Sequence, residues 1–331
     1  MSVAAVARHA PRAPLPVGPV AGCAVVGAAA VATVALPLLV YTASLAFFGI
    51  AHVLSELHYI DRRFSARLGG GALAWLGVPI AMAVAALAAG FLGLGSPRVT
   101  GTVELAAATA LAFGAAGLMR RKRVAGAVIG VALAAGALAA PFQLLLTLAV
   151  LHNFTPLGFF AEALSGAARR RTLAALALPL IAVPLVIATG LPFAALARLG
   201  WALPDAGFLA SGPLALNLGV YVPPELAASD WALHAFTAAV FAQITHYAVV
   251  IGLLPRLLDG APPRTVARWP AGGRLVAAIA ATAAGFALRF VLDYRLAREL
   301  YALAALAHGW AEIPILLLAW GGFVAAQPAR A

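Results

Sequence analysis

The chain has a single cysteine, Cys23, and it lies inside an apolar run. One cysteine excludes an internal disulfide and a thiolate metal site. Charge is scarce as well, at 10 % of residues, where a soluble domain carries roughly 25 %. Lysine is almost missing. Lys122 is the single one among 22 basic residues, and with the many Ala, Gly and Arg this points to a GC-rich bacterial genome. No Ser/His/Asp set, P-loop or GxGxxG unit presents itself, so hydrolases and nucleotide enzymes lose support.

What the chain has instead is length of apolar sequence, with 64 % of its 331 residues hydrophobic. No aqueous core hides that much apolar surface. The expected fold is all-α, a polytopic integral membrane helical bundle. A spanning helix needs about 20 apolar residues. Ten segments qualify: 18–35, 37–59, 71–95, 102–119, 124–140, 142–164, 173–197, 231–254, 273–292 and 300–325. Read as one helix, 18–59 would far exceed the bilayer at about 1.5 Å per residue, so a break is expected at Leu36-Pro37. Without that break the count is nine. Residues 1–17 (MSVAAVARHAPRAPLPV) form an expected disordered cytoplasmic tail that includes His9. Residues 18–327 form one transmembrane domain, with 198–230 as an extracytoplasmic loop.

The net charge of +11 would suggest nucleic acid in a soluble protein. Here the arginines cluster between apolar runs, as the positive-inside rule requires, and no nucleic-acid partner is expected. With ten spans and a cytoplasmic N-terminus, one side collects Arg62, Arg63 and Arg67; Arg120 to Arg123; Arg169 to Arg171; Arg256, Arg264, Arg268 and Arg274; and Arg330. Nine spans scatter these clusters over both sides. The expected location is a bacterial inner membrane with both termini cytoplasmic.

Ionisable residues inside spans are costly and usually face the bundle interior. His52, His152, His246 and His308 fall on four different spans, all running the same way in this topology, so all four can reach one mid-membrane layer. His52 and Glu56 are four apart, as are His308 and Glu312, so each pair shares a helix face. A carboxylate beside a histidine can fix its tautomer for metal binding. The four histidines are therefore candidate metal ligands, and Glu56, Glu312 and Tyr247 candidate catalytic or orienting groups. An imidazole-rich set suits Fe(II), Zn or Cu rather than Mg or Ca. His58 is read as an interfacial anchor, His234 as a surface partner of Asp230, Gln243 as a helix-packing group, and Arg289 with Asp293 as an ion pair.

GIAHVLSE (49–56) and AHGWAE (307–312) resemble the G-I-P-H-G-x-x-D segment and the H-G-x-x-acid core of the membrane β-carotene 15,15′-dioxygenases, the Brp/Blh family. The resemblance implies a helical bundle with iron held by four histidines, His52 among them with Glu56 beside it. It also implies O2 as co-substrate and a carotenoid or similar apolar lipid as substrate. Two features depart from the family. Val53 stands where the family has glycine, and the late H-x-x-x-H pair is absent, since QITHYAVV offers only His246.

Two other functions fit the same residues. Two histidines at one depth could ligate haem for electron transfer, with Arg289 and Arg295 for the propionates. Intramembrane His and Glu could instead form a proton relay in a transporter or channel, with breaks near Pro37, Pro156, Pro184 and Pro192. The topology is tested with a reporter active only outside the cytoplasm. It is expected to be active when inserted in loop 198–230 and silent when fused after Arg123; the opposite pattern overturns the ten-span assignment.

Overall fold

The computed structural model describes residues 18–207, 209–258 and 265–322. The expected tail (1–17) with His9, and also Arg264 and Arg330, lie outside the described residues. Helices are the regular elements of the described residues, which contain no strand.

In chain order the helices are α1 (Pro19–Ala35), α2 (Pro37–Gly69) and α3 (Gly71–Phe91), α4 (Pro97–Leu118) and α5 (Arg123–Ala139). A bent pair follows, α6 (Pro141–His152) and α7 (Thr155–Ala163), turned by 46° at the break. Then come α8 (Gly166–Ala188), α9 (Leu191–Arg198), α10 (Asp230–Gly252), α11 (Gly273–Leu292) and α12 (Tyr294–Gly321). Seven are long and apolar enough to cross a membrane: α2, α3, α4, α8, α10, α11 and α12, with the α6–α7 pair as an eighth. Each of the ten apolar segments read from the sequence is helical over most of its described residues. α1 and α5, however, are shorter apolar helices that do not reach spanning length.

Proline and glycine set the boundaries. Pro37, Pro97 and Pro141 each open a helix, where the missing N–H costs nothing. Leu36 leaves helical geometry (φ −136°, ψ 55°), so the expected break before Pro37 is present. α2 runs on past Tyr59 through Arg62, Arg63 and Arg67 and stops at Gly69. There a φ of 72° suits glycine and few other residues.

Two helices form the centre. In α2 and α10 alike, 67 % of the apolar window is buried, against 11 % in α3 and 17 % in α11. The outer helices show aliphatic side chains such as Val78, Met82, Val276 and Leu288 on their exposed faces. That much contiguous apolar surface is rare on soluble monomers.

The arginine–carboxylate pairs lie at the two ends. At one end Glu162 holds Arg63 at 2.6 Å and Arg67 at 2.9 Å. Beside it the buried Asp61 carboxylate accepts hydrogen bonds from Val266 N (2.8 Å), Ala267 N (2.9 Å) and Trp269 Nε1 (2.8 Å). His58 lies edge-on to Trp269, which ties it to this end and away from the bundle's middle. At the other end the Arg289–Asp293 pair is present at 3.0 Å, with Arg295–Glu299 at the same distance. His234 does not pair with Asp230 among the described residues. Its ring packs on Phe193 and against Gly190, because the α8–α9 break at Gly190 leaves room for it.

Asp61 supplies both oxygens to three donors on the 266–269 connection. Asp61→Ala is expected to destabilise the protein by about 2–3 kcal/mol. It should also speed tryptic cleavage at the exposed Arg268, read by limited proteolysis against Asp61→Asn.

Candidate metal centre

Four helices deliver four imidazoles to one point. His52 comes from α2, His246 from α10, His308 from α12, and His152 is the last residue of α6. One nitrogen from each lies within 4.8 Å of one nitrogen from each of the others. The helix break after α6 places His152: Asn153 and Phe154 leave the helix before Thr155 and Pro156 restart it as α7. A π-bulge at Leu45–Gly49 precedes His52 by one turn, a distortion common at functional sites. Gly49 matters there. A Cβ at that position would stand 2.9 Å from the Tyr301 ring.

The cluster is dry. His52, His246, His308, Glu56 and Glu312 are each at most 1 % exposed. His152 is the most open, with its side chain 22 % accessible.

Hydrogen bonds fix the proton positions. His308 Nδ1 faces the Ala304 carbonyl (3.3 Å) and His152 Nδ1 faces Glu312 Oε2 (2.7 Å). The Ala304 carbonyl can only accept, so His308 Nδ1 donates; His152 Nδ1 donates to Glu312 as a carboxylate, and with one proton per ring each Nε2 then presents a lone pair. Those two Nε2 atoms stand 3.2 Å apart. His52 Nε2 approaches His308 Nε2 to 3.1 Å. Lone pairs aimed at one another in a low-dielectric interior repel unless a cation lies between them. A metal with nitrogens at about 2.0–2.1 Å would hold tetrahedral neighbours about 3.4 Å apart, close to these separations.

The carboxylates are arranged differently from the sequence expectation. The spacing i, i+4 paired His52 with Glu56 and His308 with Glu312. Instead Glu312 on α12 bonds His152 on α6, and Glu56 on α2 approaches His246 Nε2 on α10 at 3.6 Å. The physical reason is direction. Residues four apart stack along one face, so both carboxylates point into the bundle one layer beyond the imidazoles. From there they reach the neighbouring helices. Glu56, at 0 % exposure, does not extend to the interface.

Tyr247 does not reach the point where the nitrogens meet. Its ring stacks on His52, with centroids 4.0 Å apart and planes at 20°, and its hydroxyl shares a 2.7 Å hydrogen bond with Tyr301. Gln243 is a packing group: its amide nitrogen donates to Ser44 Oγ (2.8 Å) and its carbonyl accepts from Tyr221.

Polar satisfaction tests whether the residues suit a metal. Of the ten buried side-chain polar atoms without a hydrogen-bond partner among the described residues, six belong to this cluster. They are His52 Nδ1, both Glu56 oxygens, both His246 ring nitrogens and Glu312 Oε1. Buried polar groups are normally paired, and each orphan costs about 1–3 kcal/mol. Six of them around convergent nitrogen lone pairs form a donor set that fits a divalent ion.

The cluster is also the floor of a cavity of about 620 Å³. His52, His152, His308 and Glu312 line it, whereas His246 and Glu56 lie behind them. The walls are largely leucine, isoleucine and tyrosine, including Leu145, Leu148, Leu306, Tyr41 and Tyr301. Sequence reading missed Arg298 and Tyr301, although the signal was there. Arg298, Tyr301, Ala305, His308 and Glu312 follow at alternating steps of three and four, one continuous helix face.

Comparison with protein-family models, with curated proteins and with solved structures returns no match. The likeness to the carotene dioxygenases therefore rests on the two short segments that carry His52 and His308.

Glu312→Gln is expected to weaken metal binding by about 10–100-fold, because it replaces the charged carboxylate that fixes His152 with a neutral amide. Tyr247→Phe should leave metal content unchanged, since the ring remains stacked on His52. Elemental analysis after dialysis against a graded chelator reads both.

Proposed function

We propose that this chain is a multi-pass membrane metalloenzyme. His52, His152, His246 and His308 are its metal ligands, and it acts as a non-haem iron oxygenase on an apolar lipid such as a carotenoid. The single observation that carries this reading is the convergence of four imidazoles from four helices at the floor of a largely apolar cavity. All-imidazole ligation suits Fe(II), Zn or Cu, and the resemblance of the His52 and His308 segments to the carotene dioxygenases points to Fe(II). Ten crossings, with the bent α6–α7 pair as one and α1 and α5 as short ones, would keep the arginine clusters on one side in a bacterial inner membrane.

An iron(II) ion held there supplies the redox chemistry for O2-dependent oxidation of a carbon–carbon double bond. Cleavage balances without an outside reductant: the C=C bond breaks, two C=O bonds form, and both oxygen atoms come from O2. The chain's own residues do the rest. Three histidines face the cavity and leave room for substrate. His246 and the carboxylates close the opposite side. Glu312 holds His152 in one tautomer, and the Tyr247 ring holds the plane of His52. Leucines and isoleucines accept an apolar chain and exclude water.

Haem fits less well. Imidazole nitrogens 3.1–3.2 Å apart leave no gap for a porphyrin plane between two axial ligands. A proton relay would draw on the same His–Glu contacts, but it gives no reason for four imidazoles from four helices to converge on one point.

The test is purification in mild detergent, elemental analysis and an absorption spectrum on one sample, then O2 uptake with carotenoid and other polyene lipids. The expected result is about one iron per chain, no Soret band, and loss of metal in His52→Ala, His246→Ala and His308→Ala. Retention of metal and activity in all three variants would overturn the reading, and so would a metal-free protein after iron supplementation.

A further inference from the structure

The cavity carries one charge that the histidine cluster does not explain. Arg298 lines it, on the second turn of α12 and ten residues before His308. Both neighbouring acids are already engaged, Asp293 by Arg289 and Glu299 by Arg295. Among the described residues the Arg298 guanidinium has no hydrogen-bond or ion-pair partner. Close by is Tyr41, 2 % exposed and also lining the cavity. Its ring packs edge-on to Phe236, and its hydroxyl has no hydrogen-bond partner among the described residues. A half-buried guanidinium and a buried phenol open to one cavity make a site for an anion.

The rest of the cavity limits what that anion can be. His308 is ten residue steps along the helix from Arg298, roughly 15 Å of rise, and the walls over that distance are mostly apolar. A ligand with its head at Arg298 therefore presents the middle of a long chain to the histidines. The volume, about 620 Å³, sits within the range of about 300–1,000 Å³ usual for small-ligand sites, which suits one chain rather than two. Glu104 also lines the cavity, and its carboxyl group disfavours a second anionic end beside it. The roof is fixed by the 198–230 loop, whose Tyr221 hydroxyl bonds Gln243.

We propose that this cavity binds a single-chain lipid carboxylate, with its head on Arg298 and Tyr41 and its unsaturated chain lying across the histidine cluster. The assignment names the substrate class of the proposed oxygenase and rests on that reading for the reaction, but not for the binding. An oxygenated head distinguishes such a substrate from a pure hydrocarbon.

The experiment photolabels the full-length protein in phosphatidylcholine nanodiscs. Three probes are compared: a long-chain fatty acid with a mid-chain diazirine, its methyl ester, and a phosphatidylcholine carrying the same diazirine chain. Labelled peptides are mapped by mass spectrometry, and metal is measured on the same preparations. The acid is expected to label α6 and α12 peptides at least about tenfold more than the ester, as loss of a charged hydrogen bond implies. Arg298→Gln should bring the acid down to the level of the ester, with partial retention in Arg298→Lys. Equal labelling by acid and ester, preferential labelling by the phosphatidylcholine probe, or an Arg298→Gln protein that labels like the unaltered one would overturn the assignment. If Arg298→Gln does not fold, the comparison of probes on the unaltered protein decides it. Head-dependent labelling of a metal-free protein would sink the oxygenase reading alone. A metal-loaded protein without acid preference would sink this assignment alone.

Discussion

The rest of this structure is organised around a cost: four imidazoles and two carboxylates held in a dry interior. Burial of polar groups without partners works against folding, and here the groups are drawn from four separate helices. Two of the elements that carry them depart from regular geometry beside the site. α2 bears a π-bulge one turn before His52, and α6 stops at His152. A straight, uninterrupted bundle could place histidines at one depth. Turning their nitrogens to one point requires these local breaks. The irregularities are part of the site rather than defects around it.

The exchange of carboxylates between helices follows from the same constraint. If each glutamate served the histidine on its own helix, each helix would be self-contained and nothing would fix their relative rotation. Glu312 bonds an imidazole on α6 and Glu56 leans toward one on α10. Each contact therefore ties two helices as well as orienting a ring. The Tyr247–Tyr301 hydrogen bond does the same between α10 and α12, one layer away. Helix association in lipid has no hydrophobic drive and relies on packing and interhelical polar contacts. In a membrane, the polar layer that holds the cluster would therefore also hold the bundle.

The sequence was most legible where one residue type has one physical reading. Long apolar runs gave every helix of spanning length, Leu36-Pro37 gave the first break, and depth along the spans put His52, His152, His246 and His308 in one layer. It was least legible where direction decides the outcome. Spacing told which residues share a face, not which neighbour that face meets. Glu56 and Glu312 were therefore matched to the wrong histidines, and His234 to Asp230. Length failed similarly. α1 and α5 end at their prolines and loops before reaching spanning length, a boundary that mean apolarity does not mark. Arg298 was overlooked because a lone arginine near a helix end looks like a solvated charge. Only the pairing of its neighbours, Asp293 with Arg289 and Glu299 with Arg295, shows it to be the odd one out.

That odd arginine bears on how the cavity works as a whole. A purely apolar tunnel would let a hydrocarbon slide along its length, and any double bond could then pass the histidines. An anchor at one end changes this. With the head fixed at Arg298 and the cluster fixed ten residues further along the same helix, the distance between them becomes a ruler. In the proposed oxygenase, regioselectivity would then come from the rise of α12 rather than from contacts at the reacting carbons, whose alkene faces offer little for a protein to grip. Small groups such as Ala302, Ala305 and Gly309 line the cavity on this helix and keep the path clear between anchor and cluster. Positioning by a remote group is a general route to orienting a substrate that is featureless at its reacting centre.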